Sequence, residues 1–159
     1  MKKVLLLCGL LLLAFLAEAQ YYGSLKKLDQ QRGVNGIKLG AKNKSFSSLR
    51  LTLMPGNYDW YLNENENRQL GEANLKHVFY GFRNGKLQTL QITFEPKNYQ
   101  AIYLFLRGEF GWPEKVERNY KQYLVWPGKK VILVLANHNF RFLFSDSEEA
   151  KAENWWPEK

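Results

Sequence analysis

Cysteine is almost absent from this sequence, since its 159 residues contain a single one, Cys8. One thiol cannot build a disulfide framework, a zinc ribbon or an iron–sulfur cluster, so those classes of small protein are excluded. Histidine is also scarce, and the two residues, His77 and His138, lack the close spacing of a paired metal-binding motif. A site built on these histidines requires the fold to bring them together, and no metal or other cofactor is predicted.

Acidic residues are the minority charge, because 15 Asp and Glu face 23 Lys and Arg, for a net charge of +8. The imbalance is uneven: residues 20–145 contain 19 basic and 9 acidic residues, whereas residues 146–159 contain 2 and 5. Basic side chains clustered between residues 26 and 50 can bind anionic polymers by releasing counterions, or they can form a solvated basic face. The candidate binding residues in this cluster are Lys26, Lys27, Lys38, Lys42, Lys44 and Arg50.

Long apolar runs are missing except near the start of the sequence. Two lysines precede an almost unbroken apolar run over residues 4–16, and residues 17–19, Ala-Glu-Ala, place small side chains where a signal peptidase cuts. Spanning a bilayer takes roughly 20 residues, so this run is too short for a membrane anchor. We predict a signal peptide over residues 1–19 that is cleaved after Ala19, and a periplasmic or secreted chain with no membrane span after cleavage.

Residues 34–145 have the patterns of one domain. Asn84-Gly85 separates two β-rich runs, which is the strongest short-range signal for a hairpin. Apolar residues at helical spacing follow, and three more β-rich runs come after them. This ββαβββ order predicts an α+β fold, in which one principal helix packs on one face of an antiparallel sheet. The predicted elements cover residues 77–83, 86–94, 98–110, 122–126, 129–136 and 140–145.

The register of the first hairpin can be argued from burial. A three-residue loop over residues 83–85, with Gly85 in a bulge, pairs Phe82 with Lys86 and Val78 with Leu90. That register gathers the large apolar residues of both strands on one face, whereas a one-residue slip moves one strand's set to the other face. We therefore predict the bulged loop. The gathered residues are Val78, Tyr80, Phe82, Leu90, Ile92 and Phe94.

Two polar segments flank the predicted domain, a polar leader over residues 20–33 and an acidic tail over residues 146–159. Trp155-Trp156 is unusual in so polar a tail. The pair either docks on its own domain or binds a partner. The opposite charges of tail and body allow the tail to fold back on the basic body.

The sequence contains few candidate catalytic residues. Glu64 and Glu66 are candidate paired carboxylates for a glycosidase, but they lie in an Asn-rich loop over residues 63–67. A glycosidase acid needs a desolvated environment that raises its pKa, and an exposed loop does not supply one. A binding role is therefore favoured over an enzymatic one.

One part of the chain resembles small domains of the bacterial envelope. A helix is followed by Phe110-Gly111-Trp112-Pro113, by a strand with Trp126 and by two further strands, as in the SmpA/OmlA (BamE-like) and BLIP-like families. The segment 36–40, Gly-Ile-Lys-Leu-Gly, is similar to the opening of small exported Bacteroidota-type proteins of unknown function. The resemblance covers roughly residues 98–145, and it departs from the first two families by lacking a lipobox and by having a hairpin before the helix. It implies a non-catalytic, protein-binding role.

The sequence thus predicts an exported, non-enzymatic domain that binds a protein or polymer of the cell envelope, through the basic N-terminal third or the Trp155-Trp156 tail. An envelope glycan hydrolase that uses carboxylates or a histidine is one alternative. A polyanion-binding protein is another, although nucleic acid is not an expected partner for an exported chain. The sequence does not indicate an oligomeric state.

Overall fold

The computed structural model describes residues 25–54, 56–63, 67–153 and 155. The predicted signal peptide, Glu64, Glu66 and Trp156 lie outside this part of the chain. None of the helices within the described ranges is long and apolar enough to cross a membrane. The structure consists of antiparallel strands with a few helices, so the predicted α+β class is confirmed.

A nine-stranded antiparallel sheet forms the body of the molecule. Its spatial order is β3-β4-β6-β7-β11-β10-β9-β8, with β5 paired to β6 beside this path. The strands of the sheet are β3 (Leu49–Thr52), β4 (Asp59–Asn63), β5 (Gln69–Leu70), β6 (Ala73–Arg83), β7 (Lys86–Phe94), β8 (Glu114–Arg118), β9 (Lys121–Pro127), β10 (Val131–Leu135) and β11 (Asn139–Phe144).

The remaining elements are short, apart from one helix. Two two-residue strands, β1 (Gly33–Val34) and β2 (Ile37–Lys38), pair with each other, and 3-10 turns cover Asn43–Ser45 and Pro96–Asn98. The helices are α1 (residues 25–31), α2 (Tyr99–Phe110) and α3 (Glu148–Ala152).

The strand order is richer than the predicted ββαβββ. Four strands, not three, follow α2, because Glu114–Arg118 forms the edge strand β8. Val116 is the one apolar residue in that strand, so its sequence has the charged composition of a solvated loop. At the opposite edge, β3 and β4 extend the sheet beyond the predicted hairpin.

The β6–β7 hairpin shows that the predicted loop was wrong while the predicted face was right. Arg83 pairs with Lys86 and Phe82 with Leu87, so the turn has two residues, not three. A β-bulge follows, because Gly81 pairs with Thr89 and leaves Gln88 as the extra residue of β7. The bulge restores the face that burial requires, and all six predicted residues belong to one buried cluster.

The first face of the sheet packs against α2. Ile102, Leu106 and Phe110 recur at four-residue spacing, which places them on one side of the helix, and all three are buried. Trp126 of β9 is fully buried in the same cluster, and its indole Nε1 donates to the Gly111 carbonyl, 2.8 Å away. The helix is thus held to the sheet by apolar packing and by a hydrogen bond at its C-terminal end.

The packed fold begins before residue 34, within the segment predicted to be a polar leader. Residues 25–31 are helical, and Leu28 lies fully buried in the first-face cluster. The Asp29 carboxylate accepts hydrogen bonds from the backbone N–H groups of Lys129, Lys130 and Val131, at 3.0, 2.7 and 3.0 Å. Hydrogen bonds to a charged acceptor are stronger than neutral ones, so α1 is firmly attached to the start of β10.

Candidate ligand-binding groove

The second face of the sheet is covered in part by the C-terminal segment, residues 145–153 and 155. Side chains alternate along β10, so Ile132 and Val134 point away from the α2 face. Ala150 of α3 and Trp155 pack on them in a second buried cluster. The segment predicted to be an acidic tail is therefore part of the fold over its described residues.

Each end of the C-terminal segment has its own anchor. Arg83 of β6 forms an ion pair with Glu148, 2.7 Å apart, and Arg141 of β11 pairs with Glu149. Trp155 is 6% exposed, and its ring meets that of Tyr123 edge-on with centroids 5.0 Å apart. Over its described residues, the tail thus folds back on the basic body, and Trp155 docks on its own domain.

Tyr58 completes the anchor at α3. Burial, and then the neighbouring Glu149 carboxylate, raise the pKa of Tyr58 to about 12, although Arg83 and Arg141 act in the opposite direction. The phenol therefore stays protonated across the physiological range and presents a hydroxyl to the carboxylate.

The turn between β8 and β9 stands next to Trp155. Arg118 pairs directly with Lys121, so the turn consists of two residues, Asn119 and Tyr120, with φ of 48° and 60°. Left-handed conformations suit asparagine and glycine, but they crowd the Cβ atom of a bulky residue such as tyrosine. The Tyr120 side chain is also 100% exposed. Its conformation is therefore unfavourable, and no burial in the described fold compensates for it.

A groove of about 870 Å³ opens between this turn, the β10–β11 turn and the C-terminal segment. The β8–β9 hairpin forms one wall of the groove. Its residues 121–123 lie beyond the last residue pair that joins β9 to β10. Trp155 and Glu153 lie on another side, and Arg141 and Val134 belong to the lining as well. The lining thus combines aromatic rings, cations and, at Asn119, Gln122, Asn137 and Asn139, side-chain amides.

A second depression of about 460 Å³ adjoins the groove. His138 and Asn139 line both, because the β10–β11 turn lies between them. On the far side the second depression is lined by residues of β6 and β7, including His77 and Phe79. Together the two depressions follow one end of the sheet from the β8–β9 turn to β6.

The two histidines therefore reach a common surface. The His77 Nδ1 atom is buried and has no hydrogen-bond partner among the described residues, and its ring lies 5.7 Å from that of Phe79. Desolvation, and then Arg68 and Lys76, hold the pKa of His77 below its ordinary value, so the imidazole is neutral at pH 7. Within the described ranges no three His, Cys, Asp or Glu residues are grouped to hold a metal ion.

The basic residues proposed from the sequence lie elsewhere. Lys26 and Lys27 belong to α1, where Lys27 pairs with Glu109 at 2.9 Å, and Arg50 lies on the edge strand β3. Lys42 forms a backbone bridge with Lys86, at the end of β7 opposite the groove. The exposed members of the predicted set are Lys26, Lys38, Lys42, Lys44 and Arg50, and the described groove lining includes none of the six.

Sequence reasoning missed the β8–β9 turn, although a signal was present. The tetrapeptide at residues 118–121, Arg-Asn-Tyr-Lys, differs at one position from residues 83–86, Arg-Asn-Gly-Lys. The Asn-Gly dipeptide in residues 83–86 predicts a hairpin, whereas the Asn-Tyr dipeptide in residues 118–121 is not a recognised turn signal. Matching the two would have predicted both the strand β8 and an exposed aromatic residue.

Fold and groove together define an α+β domain with an elongated surface depression of mixed polar and aromatic lining. Comparisons with protein-family models, with curated proteins and with solved structures find no match to this chain. The resemblance to envelope domains accordingly stays a prediction.

Proposed function

We propose that this chain is an exported, non-enzymatic domain that binds a polymer of the cell envelope, and that the polymer lies in the groove on the second face. The observation that supports a polymer is the continuity of the two depressions through His138 and Asn139. A small metabolite needs one enclosed pocket, whereas an extended chain needs adjoining sites along one surface.

The chemistry of the lining favours reversible binding over hydrolysis. Glycoside hydrolysis requires two carboxyl groups, one of them with a raised pKa. Among the described lining residues, the groove has Glu153 and the adjoining depression has Glu95. Lys97, through a hydrogen bond and its charge, lowers the pKa of Glu95, which is the wrong direction for a general acid.

Polyanion binding at the opposite end of β7 is the second candidate. The bridge between Lys42 and Lys86 brings two exposed lysines together beside the β6–β7 turn. Because β7 separates this lysine pair from the groove, the two candidates can be tested with separate variants.

Co-sedimentation with insoluble cell envelope tests the proposal. Residues 20–159 are incubated with envelope that is untreated, protease-treated or periodate-oxidised. Protease removes the envelope proteins, and periodate damages the glycans. We expect binding to survive protease and to be lost after oxidation. Loss after protease alone would instead indicate a protein partner and overturn the polymer assignment.

Two variants locate the binding surface. Asn137→Trp fills the groove from an exposed turn position, and it should abolish co-sedimentation. Asn57→Trp is the matched control, because Asn57 is also exposed and lies outside the groove lining. Retained binding in Asn137→Trp, with loss in a Lys42→Glu/Lys86→Glu double variant, would move the site to the lysine pair.

Export is tested separately. A full-length chain expressed in a diderm bacterium should appear in the periplasm or medium with Gln20 as its first residue, as determined by N-terminal sequencing. A cytoplasmic chain that retains Met1 would contradict the exported location.

A further inference from the structure

We infer that the groove binds an acidic oligosaccharide, with Tyr120 stacking on a sugar ring and Lys121 and Arg118 holding its carboxylate or phosphate. This inference rests on the proposed function, since it names the class of polymer that the same groove takes.

Tyr120 is the first argument. The residue combines a left-handed φ of 60° with complete exposure, so neither backbone preference nor burial accounts for a large aromatic side chain there. The equivalent position of the β6–β7 turn is Gly85, with φ of 68°, which is the residue that this conformation favours. Strained backbone is a feature that clusters at ligand-binding sites, and at Tyr120 it coincides with an exposed aromatic ring at the groove.

The chemistry of the Tyr120 ring points to a sugar. A flat, exposed aromatic face packs well on the apolar C–H face of a pyranose ring, and it does so without a deep pocket. Amide side chains from both neighbouring turns, such as Asn119 and Asn137, can donate to and accept from ring hydroxyls.

The cations supply the acidic preference. Arg118 and Lys121 occupy directly opposite positions in the β8–β9 ladder, so their side chains leave the same face, and both line the groove. Two cations side by side on one face can both contact a single carboxylate or phosphate group. The Arg118 guanidinium lies 5.2 Å from the centroid of the Trp155 ring, which holds it at the groove wall.

The other charges at the groove do not cancel this preference. Arg141 is neutralised by Glu149, and Glu153 is the sole carboxylate in the described groove lining. Lys121 is exposed and forms no salt bridge with a described residue. Within the described part of the chain, an anionic ligand therefore meets no competing ion pair at Lys121.

Three probes test the ligand class by isothermal titration: a hexamer of galacturonic acid, its neutral methyl ester, and a phosphate-bearing mannan oligosaccharide. We expect at least one acidic probe to bind on the order of tenfold more tightly than the neutral ester. The stronger acidic arm shows whether carboxylate or phosphate is preferred. Equal binding of the ester, or no binding of any probe, overturns the inference.

Variants of the β8–β9 hairpin separate binding from folding. Tyr120→Gly should weaken probe binding on the order of tenfold, since stacking on an aromatic ring is lost, yet raise the melting temperature by about 3 °C, since strain is relieved. Lys121→Gln should remove the preference for the acidic probe, whereas Lys115→Gln, at an exposed lysine of β8 outside the groove lining, should leave binding unchanged. Unchanged binding in Tyr120→Gly would refute the role of that ring.

The two proposals fail in different ways. If the chain co-sediments with envelope and Asn137→Trp abolishes this, but no acidic probe binds, the ligand class is wrong and the envelope-binding role stands. If co-sedimentation itself is absent, the envelope-binding role is wrong.

Discussion

The two hairpin turns, residues 83–86 and 118–121, share three of four residues and the same left-handed backbone at both central positions. The β6–β7 turn has Asn-Gly, the dipeptide that folding alone selects for such a turn. The β8–β9 turn has Asn-Tyr and accepts an unfavourable conformation. The comparison shows one turn where local sequence preference and structure agree, and one where they conflict.

The arginine of each turn contacts the same C-terminal segment, but by different means. Arg83 forms an ion pair with Glu148, and both side chains are largely solvated. Arg118 lies against the ring of Trp155, which is buried. Exposed ion pairs contribute little to stability, whereas burial of a tryptophan contributes several kcal/mol. Trp155 therefore holds the segment more strongly than the Arg83–Glu148 ion pair does.

Trp155→Ala gives the largest expected loss. Removing a buried tryptophan costs about 3–5 kcal/mol, because apolar contacts disappear and a cavity remains above Val134 and Tyr123. Urea denaturation followed by far-UV circular dichroism measures this loss. Trp112→Ala is the control, since Trp112 is 65% exposed and should change stability by less than about 1 kcal/mol. Equal effects of the two substitutions would contradict the assigned docking of Trp155.

Gly85→Tyr places the strained residue in the other turn, and it should have the next largest effect. A Cβ atom at Gly85 has no neighbour within 4 Å, so the substitution adds backbone strain without a clash. We expect a loss of about 1–2 kcal/mol in the free energy of unfolding, with groove binding unchanged. Thermal unfolding of this variant and of Gly85→Asn, which tolerates the left-handed region, provides the measurement. If tyrosine were tolerated at position 85 as well as asparagine, the left-handed conformation of Tyr120 would not be strained. Strain would then give no support to a binding role for Tyr120.

The fold was predictable where hydrophobic periodicity was strong. The β6–β7 hairpin, α2 and the buried strands β9 to β11 follow from alternation or from helical spacing. β8 was missed because an edge strand needs few apolar residues, and Val116 is its only one. The helix over residues 25–31 was missed for a related reason, because Leu28 is its one fully buried residue. Asp29 accepts hydrogen bonds from backbone groups about 100 positions away, which no local pattern predicts.

The groove was much less predictable than the fold. His138 and Trp155 were singled out from the sequence, but their proximity depends on β9, β10 and the C-terminal segment meeting at one end of the sheet. Basic residues were noticed as a run between positions 26 and 50, whereas Lys121 is one cation in an ordinary stretch. Local composition locates charge along the chain, and only tertiary packing decides which charges share a surface.

Glu148→Gln should have the smallest effect, and it tests the weaker anchor through pH. The Arg83 guanidinium, by hydrogen bond and by charge, holds the pKa of Glu148 below its ordinary value of 4.5. A carboxylate whose pKa is lowered by folding stabilises the native state above that ordinary value, and the contribution disappears as the pH falls through the lowered one. The urea midpoint of wild type should therefore slightly exceed that of Glu148→Gln at pH 7, and the two should converge in strong acid.

Glu72→Gln is the control, because Glu72 is an exposed carboxylate that forms no salt bridge with a described residue. This variant should show no such difference at pH 7. A gap between wild type and Glu148→Gln that persisted below pH about 2 would mean that the C-terminal segment depends on the Glu148 side chain for packing instead of charge.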